Sequence, residues 1–154
     1  MRPMMHLALP LLAVMFGCIA APFAQNKEPI RITAETLEVQ HSTGQATFSG
    51  NVKLVQGGLT LTANRLNARY GNGLETLTAS GNVQFVRGNT ETASGDTAIY
   101  EPTTQTLTLT GNKVTLQRGP STLVGDKLVY NLATQVARVT KQGGPVEATF
   151  VQQN

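Results

Sequence analysis

The chain has 154 residues, of which 40% are hydrophobic, 5% aromatic and 14% charged, where a typical globular chain carries about 25% charge. That length suits one ordinary domain and excludes two large ones, and so little charge excludes disorder driven by self-repulsion. The formal net charge of +3 is spread without a basic run, which speaks against nucleic acid as a partner.

Residues 1–24 read as a cleavable signal peptide. Arg2 and the free amine precede an apolar run from Leu7 to Ala21, followed by the small residues Ala20, Ala21 and Ala24 and then by Gln25-Asn26-Lys27-Glu28. This is the order of a positive start, a short apolar middle and a small-residue exit. About fifteen apolar residues fall short of the roughly 20 needed to cross a bilayer as a helix. An uncleaved anchor is the alternative. A cut after Ala24 puts Pro22 third from the end, so Ala20 is a second candidate. Cys18 after Gly17 raises a lipoprotein cut, which Met15 and Phe16 fit poorly. Residues 25–154 then form the exported domain, with no cysteine, no tryptophan and His41 as its one histidine. Disulfides, a thiol nucleophile and a thiolate zinc site are thereby excluded from it.

From Ile30 onward the apolar residues recur at every second position. Ile30, Ile32 and Ala34 alternate with Arg31, Thr33 and Glu35; Leu59-Leu61-Ala63, Leu66-Ala68-Tyr70, Val83-Phe85, Leu107-Leu109 and Leu128-Tyr130 repeat the pattern. Period two marks strands, and short ones of four to seven residues bounded by Gly, Asn and Pro are expected. Gly71-Asn72-Gly73 and Pro102-Thr103-Thr104-Gln105 suit hairpin connections. The domain is predicted to be all-β. Alternation places Ile32, Leu37, Phe48, Val52, Leu54, Leu61, Leu66, Phe85, Leu109 and Leu116 on its inward face.

The strands belong to repeats. Gly50-Asn51-Val52, Gly81-Asn82-Val83 and Gly111-Asn112-Lys113-Val114 start 31 and 30 residues apart, and Lys113 reads as an insertion forming a bulge or a longer turn. Gly125-Asp126 echoes Gly95-Asp96, and Tyr70, Tyr100 and Tyr130 recur at the same interval as stacked structural tyrosines. About four 30-residue repeats result, the last losing the motif at Lys141-Gln142-Gly143. One such unit cannot bury its apolar face alone, so the repeats must stack into an elongated roll. The first and last strands then lack a neighbour and invite strand addition.

Catalytic readings are weak. The single His41 lies in a Ser-Thr-Gly loop, so no Ser-His-Asp set can be assembled. Asp96 and Asp126 stand 30 apart like a pair of acid and base carboxylates, but each follows a glycine and suits a turn. No Gly-rich loop opens into a helix to hold a phosphate. The expectation is a non-enzymatic protein without cofactor or metal.

The opening Ile30-Arg31-Ile32-Thr33-Ala34-Glu35-Thr36-Leu37, the three Gly-Asn-Val blocks, Ala63-Asn64-Arg65-Leu66 and Gly125-Asp126-Lys127-Leu128-Val129-Tyr130 resemble the OstA-like LptA family of periplasmic lipopolysaccharide transport proteins. The likeness spans about residues 28–151. It implies a twisted, partly open antiparallel β-jelly roll whose inner face holds lipopolysaccharide acyl chains, in the periplasm of a Gram-negative envelope. It further implies head-to-tail stacking of rolls into a bridge between the two membranes, with an LptC-like inner-membrane protein and an LptD-like outer-membrane protein as partners. Arg31, Lys53, Arg65 and Arg69 become candidates for lipid A phosphates near the groove mouth. The inserted Lys113 and the lost fourth block leave the register of the C-terminal third open. Two other readings stand beside this one: an envelope scaffold or polysaccharide-binding β-solenoid, which the absence of tryptophan disfavours, and the membrane-anchored, LptC-like partner, if the apolar start is retained.

Overall fold

In the computed structural model, which describes residues 28–151, the period-two segments form ten strands. They are β1 (Arg31–Thr33), β2 (Thr36–Gln40), β3 (Gln45–Gln56), β4 (Leu59–Tyr70), β5 (Leu74–Arg87), β6 (Glu91–Glu101), β7 (Thr106–Arg118), β8 (Ser121–Asn131), β9 (Val136–Thr140) and β10 (Glu147–Thr149). Every pairing is antiparallel, and β3 to β8 follow one another in space as in sequence. The all-β reading holds, with connections at residues 71–73 and 102–105 as expected.

The strands are longer than the sequence suggests, because the Gly-Asn blocks bend them instead of ending them. β3 to β8 run for 11 to 14 residues. Their pairing slips near the middle, between Ser49 and Val52, Thr62 and Arg65, Ser80 and Val83, Ser94 and Thr97, and Thr110 and Val114. At two of these corners Gly50-Asn51 and Gly81-Asn82 have φ of 81°, 44°, 79° and 47°, a region that Gly and Asn enter most readily. Lys113 is absorbed by the longer slip in β7, as a bulge would absorb it. Val114 thereby regains the inward position of Val52 and Val83.

Short side-chain contacts pin the corners. Asn51 Nδ2 donates to Glu35 Oε1 at 2.6 Å, the backbone N–H of Asn112 donates to Asp96 Oδ2 at 3.1 Å, and that of Gln142 donates to Asp126 Oδ2 at 3.0 Å. Each pair is 16 residues apart. Gln142 thus stands where the fourth Gly-Asn block is missing, and the C-terminal third keeps the register of the other repeats. Asp96 and Asp126 are corner acceptors, in agreement with the turn role. Nearby, Gly125 is buried, and a Cβ there would lie 2.6 Å from the carbonyl oxygen of Thr140. Only a hydrogen lets β8 and β9 approach so closely.

The row of corners folds the sheet into two layers. β1 pairs with Lys53–Val55 of β3 and β10 with Thr122–Val124 of β8, whereas β2 pairs with Gln45–Ser49 and β9 with Lys127–Asn131. The layers meet face to face. Phe85 and Tyr130 lie three strands apart in the sheet, about 14 Å if it were flat, yet their rings cross edge to face at 6.0 Å and 89°. Between the layers run rows of paired inward residues. One passes from Leu37 through Phe48, Leu66, Ala79, Ala98, Leu109 and Leu128 to Val139, and another from Ile32 through Leu54, Leu61, Phe85, Ala93 and Leu116 to Leu123. Large side chains flank small ones near the middle of each row, at Ala79 and Ala98 in the first and at Ala93 in the second, so that the bulky residues of one layer have room to pack.

Candidate functional site: an apolar cleft and its rim

The inward face assigned by alternation is where the structure puts it. Val52, Leu54, Leu61, Leu66, Phe85, Leu109 and Leu116 are buried in one cluster, with Ile32 and Phe48 half-buried against it. Leu37 shares their row but is 55% exposed, because β2 has a sheet neighbour on one side only. The interior is fuller than its small residues suggest. The space left between Leu54, Leu61, Leu66, Leu77, Phe85 and Leu107 is about 10 Å³, no more than the roughly 10–15 Å³ that a single water needs. An acyl chain enters this cleft only if the layers part.

The four cations proposed for phosphate lie elsewhere than the mouth. Arg31, Lys53, Arg65 and Arg69 are exposed, and their cross-strand partners Val55, Thr62, Ser80 and Thr76 all belong to the outward set. The same period of two that turns Ile32 and Leu54 inward turns Arg31 and Lys53 outward. Arg69 pairs there with Glu75 at 3.6 Å. The tyrosines also need a correction. Tyr100 and Tyr130 share an inward row with Ala68, Leu77 and Leu107, whereas Tyr70 lies two residues beyond Ala68. The corner of β4 falls earlier in its repeat, so an interval of 30 residues misses the equivalent position. His41 is exposed in the turn between β2 and β3. The signal peptide, its Ala20 and Ala24 cuts and Cys18 lie outside the described residues.

What sequence reasoning missed is the rim of the cleft, where the free ends of the two layers face each other. The Tyr100 hydroxyl crosses from one layer to donate to Gln56 Oε1 of the other at 2.8 Å. The Tyr130 hydroxyl crosses likewise, donating to Glu91 Oε2 at 2.8 Å and accepting from Arg87 Nη1 at 2.7 Å. Arg118 donates through Nε to Glu91 Oε1 at 2.5 Å and pairs with it through Nη2. Glu91 is the one buried charged residue among the described residues, 8% exposed. The hydrogen bond to its carboxylate raises the Arg118 pKa above the usual guanidinium range, and burial raises that of the Tyr100 phenol above its ordinary value. Both changes move the titration further from neutral pH, where Arg118 stays charged and Tyr100 stays protonated. Outside Tyr100 a recess of about 250 Å³ opens between Gln56, Leu59, Arg87, Gln105 and Leu132. A signal for this rim exists in the sequence: Gln56-Gly57, Arg87-Gly88 and Arg118-Gly119 recur at 31 residues. Each polar residue continues an inward alternation just before a turn.

Comparison with known proteins agrees with this architecture. Residues 31–136 match the family model described as LptA/(LptD N-terminal domain) LPS transport protein. A crystal structure titled LptH, the LptA homologous periplasmic component of the conserved lipopolysaccharide transport device from Pseudomonas aeruginosa, superposes with a TM-score of 0.73. It is 23% identical in sequence, and the match covers 81% of this chain and 96% of that one; at that identity the likeness concerns the fold. An uncharacterized protein of Rhizobium meliloti (strain 1021) is 34% identical over 88 residues, 51% of this chain and 47% of the relative. The chain thus aligns with about half the length of that curated relative. With the family match covering most of the paired strands, this chain belongs to the LptA/(LptD N-terminal domain) LPS transport protein family.

Proposed function

We propose that this chain is a periplasmic carrier segment that holds the acyl chains of lipopolysaccharide between its two layers and passes them along a row of such segments from the inner to the outer membrane. The observation that carries the reading is the apolar cleft itself, lined from both layers and continuous through every repeat. Each methylene removed from water contributes about 0.8 kcal/mol, so a carrier that released its cargo into water would meet a prohibitive cost. Movement from one apolar segment to the next nearly cancels that term. Parting the layers for an acyl chain likewise exchanges one apolar contact for another. The transport asks no bond-making of the chain, and the driving energy comes from outside it.

The test is site-specific photo-crosslinking to lipopolysaccharide, with the probe at Leu109 and, separately, at the neighbouring Thr108. Adducts from Leu109 alone are expected, since Leu109 is fully buried in the cleft and Thr108 faces outward. A folded protein that yields none from either position would sink the carrier reading and favour a scaffold.

The ends of the roll support assembly in a row. Leu37 and Val39 of β2, Val136 of β9, and Phe150 and Val151 beyond β10 are 42% to 73% exposed, an unusual cost for strands meant to face water. In this reading they pair with further copies, head to tail, and with LptC-like and LptD-like partners in the two membranes. Removing residues 143–154 takes away β10 and is expected to abolish self-association on a sizing column while the rest stays folded. Unchanged association would place the contact elsewhere.

A further inference from the structure

We propose that Arg87 and Arg118 bind the phosphate of an acylated amphiphile, and that Glu91 occupies this site as an internal competitor that keeps the cleft shut until the headgroup arrives. The proposal rests on the carrier reading and adds to it the residues that admit the cargo and the order of events.

The rim contacts are the latches between the free ends of the layers. Gln56, Arg87, Glu91 and Arg118 belong to one layer, and the hydroxyls of Tyr100 and Tyr130 reach them from the other. The Tyr130 latch is the stronger, because a carboxylate acceptor makes a charge-assisted bond. Two guanidinium groups surround the one carboxylate: Arg118 contacts it directly, and Arg87 Nη1 lies 4.0 Å from Glu91 Oε2. These three groups carry one net positive charge, with Glu28 the further acidic residue lining the recess beside Arg87. Both arginines are reachable, the side chains of Arg87 and Arg118 being 29% and 56% exposed.

A phosphate monoester supplies more negative charge and more acceptor oxygens than one carboxylate, and the guanidinium fork suits it. When it takes the two arginines, Glu91 is left buried without counter-ions, a strongly unfavourable state. The carboxylate then turns out to water and the Tyr130 hydroxyl loses its acceptor. With that latch open the layers part beside the bound headgroup, where its own tails are nearest the cleft. Arg118 also edges an opening of about 270 Å³ lined by Leu116, Ser121, Leu123, Gln135, Ala137 and Phe150, which sets a largely apolar recess next to the anion site. A neutral headgroup offers no exchange, so its tails must break the latch without compensation.

The experiment measures binding of two single-tailed amphiphiles to the full chain: dodecyl phosphate, and dodecyl maltoside with the same tail and a neutral head. Inorganic phosphate serves as the tail-free control. The chain is expected to bind dodecyl phosphate at least tenfold more tightly than dodecyl maltoside. Glu91→Gln is expected to raise dodecyl maltoside affinity severalfold by weakening the latch. Because losing the arginines alone strands a buried charge, their role is read in Arg87→Gln/Glu91→Gln/Arg118→Gln, which neutralises all three groups and is expected to bind both amphiphiles alike. A cooperatively melting triple variant that keeps the phosphate preference would overturn the anion site. Unchanged dodecyl maltoside affinity in Glu91→Gln would overturn the latch, and inorganic phosphate binding as well as dodecyl phosphate would overturn the coupling to the tails. No binding of either amphiphile by the unaltered chain would instead overturn the carrier reading, and this proposal with it.

Discussion

Phe85→Ala is expected to lower stability by about 3–5 kcal/mol in urea unfolding, the range for truncating a fully buried aromatic side chain. Phe85 is 0% exposed and its ring meets Tyr130 edge to face across the two layers, so the deletion removes contact on both sides of the cleft. The cavity cannot close by sheet movement alone, since the hydrogen-bonded neighbours Leu61 and Ala93 hold the strand in place. Leu37→Ala provides the comparison. It removes a residue of an inward row that is 55% exposed and is expected to cost less than about 1 kcal/mol. Equal losses would mean that the two layers are not packed against each other as described.

Leu109→Asp is expected to be still more damaging and to abolish cargo loading. Its side chain sits at 0% exposure between Ala98 and Leu128, with no cation within the row to receive a carboxylate. A charge buried there has no counter-ion, and together with lost packing the cost is about 4 kcal/mol or more, a large share of the stability of a small domain. Thr108→Asp, one residue away, stands on the outward face beside Ile99 and Val129 and is expected to change stability by about 1 kcal/mol or less. Urea midpoints and far-ultraviolet circular dichroism check the pair. Similar behaviour of the two variants would remove the face assignment on which the cleft depends.

Much of this structure is legible in the chain because β-structure writes its faces at period two. Ile32-Arg31 and Leu109-Thr108 are sorted inward and outward by that rule alone, whatever the sheet does next. The 30-residue recurrence of Gly-Asn-Val is equally plain, and it marks the corners correctly. Its consequence was harder to read. A Gly-Asn pair with positive φ ends a strand in one context and bends it in another, and the choice depends on whether the partner strand bends at the same height. Here all of them do, so the strands run through the corners at 11 to 14 residues.

The rim shows where local pattern stops being informative. Arg87, Glu91 and Arg118 look like ordinary polar residues flanking turns, and Arg31, Lys53, Arg65 and Arg69 look no different. Their fates diverge because the first set continues an inward alternation and the second does not. Even so, alternation gives no hint that the Tyr130 hydroxyl reaches Glu91, 39 residues away. That contact exists only after the sheet has folded over its corners and brought two distant layers together.

By itself, then, the amino-acid order determined the strand content, the repeat, the buried face and the resemblance to a transport family, since each depends on spacing along one chain. Tertiary structure alone decided that the cleft is packed nearly shut, that its rim is bridged by Tyr130 to a buried carboxylate and by Tyr100 to Gln56, and that Leu37 is left in water at an unpartnered end. Those properties depend on how far apart two layers sit and on what remains unpaired, and distances across a folded sheet are not encoded in any local period.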